Sequence, residues 1–385
     1  MGLQYVGLQL VREWPPGFGG VERVAHEIAS EYEARGEPLL TLSLQGPPRA
    51  GSDPLPVTYG RQHLPSLQLG QLLLPLPSAR LLAVLASSQP LQLHLPCPGL
   101  LGLAMVARLW RPRRFIALHW HAFLEPSPGP KGWLVSLYQW LALRWMAVAA
   151  QRVVTTSPVL AEALVAAGIP SARVTVLPCC LPASLETAAA SIQQRRLQGG
   201  VVSPPEPFRL LFIGRLSSYK RVDWLIRAFE VSAADELHIV GEGVLRPVLE
   251  RQASQALRPE AIVFHGQLSE ASKLGLLAQA SLLVLPASAS NEGFGIVQLE
   301  AMACGVPALA LWRARSGMAW VGGLDQLPGF PQPGQQAEWQ QLAAVIQWLI
   351  DQPDTWWLAA RSARQRYERV FARAVWQEQV EELLP

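Results

Sequence analysis

Charge and cysteine are both scarce in this chain. Of its 385 residues only 16% are Asp, Glu, Lys or Arg, and the formal net charge is +3. That surplus is too thin for a nucleic-acid binder, which needs a concentrated basic face. The four cysteines are Cys97, Cys179, Cys180 and Cys304. None has metal-ligand spacing, and an adjacent Cys179-Cys180 pair is no disulfide framework. A reducing, cytoplasmic compartment is therefore expected. Long apolar runs are missing too. The nearest, Trp133 to Ala150, carries Gln139 and Arg144 and is bordered by Arg152, which reads as a buried or interfacial helix, not a membrane span. The N-terminus shows no leader pattern, because Arg12, Glu13 and two prolines interrupt it early.

What the chain has in quantity is apolar residues, at 50%. With this length they are enough for two domains with ordinary cores. Charge is unevenly spread. Residues 1–205 hold 16 Lys/Arg against 10 Asp/Glu, and the remainder 16 against 19. A basic first half fits contact with an anionic surface such as a membrane.

In chain order the pattern alternates strand and helix. Leu3 to Leu10 reads as a strand, followed by Gly19-Gly20 and a helix with Val21, Val24, Ala25, Ile28 and Tyr32 at helical spacing. Such a strand, double-glycine loop and helix start make a phosphate-facing corner in an α/β sheet. Leu39 to Leu44 and Leu91 to Leu95 suggest further strands, with helical stretches at 78–87 and 98–110. Phe115 to His121 is another strand, whose alternation puts Ala117, His119 and His121 on one face and His121 at the C-terminal end. Parallel sheets bind ligands at that edge. Thr187 to Pro207 is rich in Ala, Gln, Gly and Pro, and is expected to be the linker.

Arg209 to Gly214 (RLLFIG) opens the second half as a buried parallel strand. RLSSYK follows, with Arg215 at the strand end and Lys220 at the start of a helix bearing Val222, Leu225, Ile226 and Phe229. Two cations across a loop at a sheet's C-terminal edge suit a diphosphate. The most informative stretch is Asn291 to Pro307, NEGFGIVQLEAMACGVP, preceded by the strand-like SLLVLP. It reads as strand, tight loop, helix, with Glu292 in the loop and Glu300 about two turns into the helix. At ~1.5 Å per residue the carboxylates would lie ~12 Å apart. That is longer than the ~5–9.5 Å of two-carboxylate hydrolysis. Glycines such as Gly293 and Gly295 allow close approach of backbone N–H groups, and the helix start favours phosphate.

EGFGIVQLE followed by AMACGVP resembles the signature of the retaining glycosyltransferases of family 4. GGVE near the N-terminus, HWHAF, Thr-Ser-Pro at 156–158, Gly-Arg-Leu then Lys at 214–220, and Ser-Gly-x-x-Trp-Val at 316–321 are similar to further family patterns. The last is frequent among transferases building bacterial surface polysaccharides, lipopolysaccharide included. Three departures stand out: Ala122-Phe123 after His121, Cys179-Cys180 where Asn-Gly is usual, and Arg221 where glycine is common.

The resemblance implies a GT-B fold, two Rossmann-like doubly wound parallel-sheet domains facing each other across a cleft. Residues 1–195 would form the acceptor-side domain, joined by a C-terminal helix at about 365–385. A linker would span 196–207, and 208–364 would bind the nucleotide sugar. The implied reaction moves a hexosyl unit, mannosyl or similar, from a nucleotide-diphosphate sugar to a glycan or lipid-linked glycan. His121 and Glu292 are the implied catalytic residues. Gly20, Arg215, Lys220, Phe294, Gly295 and Glu300 would bind donor, with Glu300 on the ribose. No metal and no cofactor beyond the donor substrate is expected, and the chain has no Asp-x-Asp pair. The alternatives are a non-catalytic nucleotide-sugar-binding partner and a sugar-nucleotide epimerase of the same architecture. Peripheral contact with an anionic membrane is a further expectation.

Overall fold

A computed structural model describes residues 5–17, 19–47, 57–70, 72–198, 204–332 and 338–384. The chain divides into two compact units, 1–180 with 376–385, and 181–375.

The first unit is built on a seven-stranded sheet. Its strands and helices run β1 (Gly7–Val11), α1 (Gly20–Ala34), β2 (Leu39–Ser43), β3 (Arg61–His63), β4 (Ser66–Leu69), β5 (Leu72–Pro75), α2 (Ala79–Ala86), β6 (Leu91–Leu95), α3 (Pro98–Trp110), β7 (Ile116–Trp120), α4 (Pro130–Ala149), β8 (Arg152–Thr155), α5 (Pro158–Ala166) and β9 (Val174–Val176). The order β3-β2-β1-β6-β7-β8-β9 is parallel throughout, and β4-β5 forms a separate antiparallel hairpin. Leu8, Leu10, Leu93, Leu95, Ile116 and Leu118 are buried on one face of these strands, while the alternate positions Gln9, Gln92, His94 and His119 are buried and polar on the other. Helices start where the sequence supplies caps. Ser157, for example, accepts from Leu160 N at 3.2 Å, with Pro158 at the first helical position.

The second unit runs α6 (Ala183–Gln198), β10 (Arg209–Ile213), α7 (Val222–Val231), β11 (Glu236–Val240), α8 (Arg246–Ser254), β12 (Ile262–Gly266), α9 (Glu270–Gln279), β13 (Leu282–Leu285), α10 (Val297–Ala303), β14 (Ala308–Ala310), α11 (Met318–Gly322), α12 (Glu338–Asp351) and α13 (Pro353–Arg366). Its five-stranded sheet has the order β12-β11-β10-β13-β14, again parallel. Val222, Leu225, Ile226 and Phe229 of α7 all enter the core beside Phe212, as their spacing predicts. A π turn at Tyr367–Phe371 leads to α14 (Arg373–Val380), and the chain from 376 onward belongs to the first unit.

Two expectations are corrected. Residues 187–198 are helical, not linker: α6 buries Leu185, Ala189 and Ile192, an i, i+4, i+7 stripe whose small residues disguise it. Residues 199–203 lie outside the described residues. Glu300 sits in the first turn of a seven-residue helix, because α10 begins only at Val297. It does not lie two turns in.

Candidate active site

Both sheets have a switch point, where successive strands are added on opposite sides of a central one. Open α/β sheets bind ligands beyond the strand C-termini at such a point. In the second sheet it falls between β10 and β13, and the loops leaving these two strands carry Arg215, Lys220 and Glu292.

Arg215 is exposed immediately beyond β10. A short 3₁₀ turn at Ser218–Lys220 then points back, and Lys220 is buried with its Nζ ion-paired to Glu292 Oε2. The sequence assigns these two to different groups of a ligand; the structure joins them to each other. The loops are stitched together around the pair. Ser288 N donates to Tyr219 O at 2.9 Å, Ser316 Oγ to Glu292 O at 2.6 Å, and Gly317 N to Gly293 O at 2.8 Å. Gly295 has φ +74°, and a Cβ there would stand 2.7 Å from Leu285 Cδ1, so any other residue would be strained. Phe294 is buried edge-on against Phe371, at 5.9 Å and 86°. Its side chain packs the core, leaving the backbone as the part able to meet a ligand.

Glu300 is 1% exposed, and its Oε2 lies 3.7 Å from Lys273 Nζ on α9. Lys273 also bonds Glu270 at 2.7 Å. Lys273 is absent from the sequence reading, because its pairing joins two helices 27 positions apart. The one available signal was composition: lysine occurs only at 131, 220 and 273, against abundant arginine.

In the first unit the switch lies between β1 and β6. Gly20 is the exposed first residue of α1. The sterically demanding glycine is its neighbour Gly19, where a Cβ would collide with the Glu22 carboxylate. Glu22 is itself buried, and burial, reinforced by Glu13, pushes its carboxyl up to about 7. Glu22 also escaped the sequence reading, since a glutamate in a first helical turn is ordinary.

His121 follows β7 directly and is buried. His119 and His121 share a face as the alternation predicts, and His94 of β6 joins them. Ring centroids lie 4.4 Å apart for His94–His119, 5.2 Å for His94–His121 and 6.3 Å for His119–His121, all within 17° of parallel. Burial holds all three in the neutral form, with His121 pushed down to about 4, His119 to about 3 and His94 well below its usual value. Their nitrogens come within 4.8 Å of one another, the spacing of a possible metal site. His94 is stacked on His119, and imidazole lone pairs lie in the ring plane, so an ion in the plane of one of these two rings is out of plane for the other. His94 and His121 meet edge to edge through their nitrogens, 2.9 Å apart.

Two doubly wound parallel domains in one chain are the architecture of GT-B glycosyltransferases. Two family models match, "Glycosyl transferase 4-like domain" over residues 19–180 and "Glycosyl transferases group 1" over residues 194–365. The chain belongs to this family, the glycosyltransferases of the family 4 type. It is 37% identical over 110 residues to the GDP-mannose-dependent alpha-(1-6)-phosphatidylinositol dimannoside mannosyltransferase of Mycobacterium tuberculosis (27% of each chain). It is 28% identical over 165 residues to the D-rhamnosyltransferase WbpZ of Pseudomonas aeruginosa, covering 43% of this chain and 42% of that one. The chain thus matches well under half the length of these curated relatives. Among solved structures, Anabaena Alr3699/HepE in complex with UDP-glucose superposes with a TM-score of 0.70 at 20% identity, covering 97% of this chain and 98% of the other. The sucrose-phosphate synthase of Thermosynechococcus elongatus gives 0.70 at 18% identity, covering 99% and 98%. These two likenesses establish the fold.

Proposed function

We propose that the protein is a retaining glycosyltransferase that moves a hexosyl unit, mannosyl or similar, from a nucleotide-diphosphate sugar to a glycan or lipid-linked glycan without a metal. The observation carrying this reading is the buried Lys220–Glu292 pair at the switch point of the second sheet, with the exposed Arg215 beside it. An ion pair held out of water is close to break-even energetically. Its partners are therefore available for exchange: Lys220 to a β-phosphate oxygen as negative charge grows there, and Glu292 to hydroxyls of the sugar. Arg215 adds a second cation for the leaving diphosphate, and preorganised donors of this kind contribute about 3–4 kcal/mol each. Glu300, held by Lys273, takes the ribose hydroxyls. His121, neutral through burial, bonds a sugar hydroxyl near the reacting carbon. The curated relatives named as a mannosyl- and a rhamnosyltransferase favour a sugar of this type.

The test is turnover. Purified protein is assayed against a panel of nucleotide sugars with lipid-linked acceptors, in EDTA. Lys220→Ala and Glu300→Ala are each expected to cut transfer at least tenfold, about 1.4 kcal/mol or more. Unchanged rates in both variants, or loss of wild-type activity in chelator, would refute the reading.

The acceptor side carries a membrane component in the same proposal. Among the described residues no helix is long and apolar enough to cross a bilayer. Yet α4 exposes Trp133 at 65%, Trp140 at 55%, and Leu134, Leu137 and Leu141, while the adjoining α3 exposes Leu109 and Trp110. Lys131 and Arg144 on α4, and Arg111 and Arg113 just beyond α3, are exposed around this face. Aromatic side chains rimmed by cations suit an anionic interface. Vesicles containing anionic lipid are expected to co-sediment the protein, with Trp133→Ser/Trp140→Ser or high salt abolishing it. No recovery with anionic vesicles at low salt would remove the membrane from the proposal, and equal recovery with neutral vesicles would remove the anionic preference.

A further inference from the structure

Four side chains on three neighbouring strands and the residue after a fourth form one buried hydrogen-bonded chain. Thr41 Oγ1 on β2 donates to Gln9 Oε1 on β1 at 2.9 Å. Gln9 Nε2 lies 3.1 Å from His94 Nε2 on β6. His94 Nδ1 lies 2.9 Å from His121 Nε2, just past β7. Every member is buried.

The direction of each bond follows from the chemistry of its atoms. A threonine hydroxyl donating to the carboxamide oxygen leaves the Gln9 NH₂ facing His94, and an amide nitrogen can only donate. His94 Nε2 is therefore the bare nitrogen. In a neutral imidazole the proton then sits on Nδ1, which donates to His121 Nε2. His121 in turn carries its proton on Nδ1. His119 stands apart from this chain: its Nε2 faces Gln92 Oε1 at 2.9 Å, so it has the opposite tautomer. Among the described residues none accepts from His121 Nδ1.

We propose that Thr41, Gln9 and His94 are positioning residues that lock His121 as the Nδ1–H tautomer. His121 then offers a ligand a hydrogen-bond donor from Nδ1, while its Nε2 is occupied from behind. The ligand atom it suits is an acceptor, such as a hydroxyl oxygen of the sugar, and not a proton to be abstracted. A general-base role for His121 is thereby excluded. The use of this donor rests on the glycosyl-transfer reading above; the tautomer assignment stands on the side-chain geometry alone.

The experiment records two-bond ¹H–¹⁵N correlations of the full chain labelled with ¹⁵N-histidine, using His121→Asn and His94→Asn to assign the signals. His94 and His121 are expected as Nδ1–H and His119 as Nε2–H. Gln9→Glu replaces the donor facing His94 with an acceptor and is expected to reverse both, giving Nε2–H at His94 and His121. It should also lower kcat about tenfold with the donor KM within about twofold, since proton placement and not donor binding has changed. Thr41→Val frees the Gln9 amide to turn, and a mixture of tautomers at His121 is expected even if the glutamate variant fails to fold. Nε2–H at His121 in the wild type, or Nδ1–H persisting in every variant, would overturn the proposal. So would stoichiometric Zn²⁺ shifting the nitrogens of all three histidines together, which would make the cluster a metal site. If the tautomers are as assigned but no nucleotide sugar is turned over, the lock is upheld and the functional reading fails. If turnover is normal with His121 as Nε2–H, the reverse holds.

Discussion

Glu22 lies in the first turn of α1 with its carboxylate folded over Gly19, almost wholly removed from water and near the like-charged Glu13. Burial raises its pKa from 4.5 to about 7, and Arg12 offsets only part of that. In the unfolded chain the carboxyl ionises near its ordinary value. Below pH 4.5 both states hold the proton and Glu22 is neutral to stability. As pH rises from 4.5 to 7 only the unfolded state sheds it, so the contribution of Glu22 to stability falls, and the full penalty applies above 7. Glu22→Gln removes that titration. The variant is expected to be more stable than the wild type at pH 8, by up to about 3 kcal/mol, with the gain vanishing at pH 4. Urea unfolding of both proteins at the two pH values measures it; an equal difference at both would show that folding leaves the Glu22 carboxyl at its unfolded-state pKa. Residues of this kind are hard to read from sequence, because a carboxylate's burial is decided by distant packing. Glu292 and Lys220 were legible through their spacing within motifs, whereas Lys273 and His94 matter through partners on other elements.

At the scale of elements, α7 shows how a departure from the family pattern is accommodated. Its N-cap, Arg221, has φ +49° and ψ +43°, a left-handed conformation that explains why glycine is common there. For an L-residue this costs about 1–2 kcal/mol. The side chain offsets some of it by stacking 3.7 Å above the Trp224 ring and pairing with Asp223 at 2.7 Å. Arg221→Ala keeps the strain and loses the stack; Arg221→Gly loses the stack and relieves the strain. The glycine variant is therefore expected to be more stable than the alanine variant by about 1 kcal/mol, read as the difference in denaturation midpoints. Equal midpoints would mean that the left-handed turn costs nothing here. The apolar period of α7 was plain in the sequence because its core residues are large. That of α6 was not, because alanine at the buried position 189 looks the same as the solvent-facing alanines around it. The start of α10 was misjudged for a related reason: Phe294 and Ile296 continue an apolar pattern that the Gly295 backbone, at φ +74°, cannot follow as helix.

At the scale of the whole molecule, the alternation of strand and helix made two parallel-sheet domains legible, since most strands are short apolar-rich runs and most crossovers carry a helical period. The point where the chain changes domain was not legible, because nothing in the local pattern of Leu181 to Gln198 says which core its buried side chains enter. The C-terminal segment is the clearest case. Residues 376–385 belong to the first unit although they are some 200 positions from its other end. Gln377 Nε2 donates to Glu31 Oε2 at 2.8 Å, Tyr32 donates to Val380 O at 3.5 Å, and a Cβ on Gly7 of β1 would stand 3.1 Å from Leu384. Trp376, Val380 and Leu383 are fully buried. At about 1.5–3 kcal/mol for each such side chain, the segment is worth a large share of the 5–15 kcal/mol that holds an ordinary domain together. Ending the chain after Val375 is therefore expected to lower the unfolding temperature of the first unit by more than 10 °C, at about 4–8 °C per kcal/mol for small domains and about 2–4 °C for larger ones. The second unit keeps its own sheet and core, so its transition should stay where it is. Calorimetry combined with limited proteolysis assigns the transitions, with fragments from 1–180 appearing first. A truncated protein whose two units melt together at the wild-type temperature would show that the segment is dispensable to the first core.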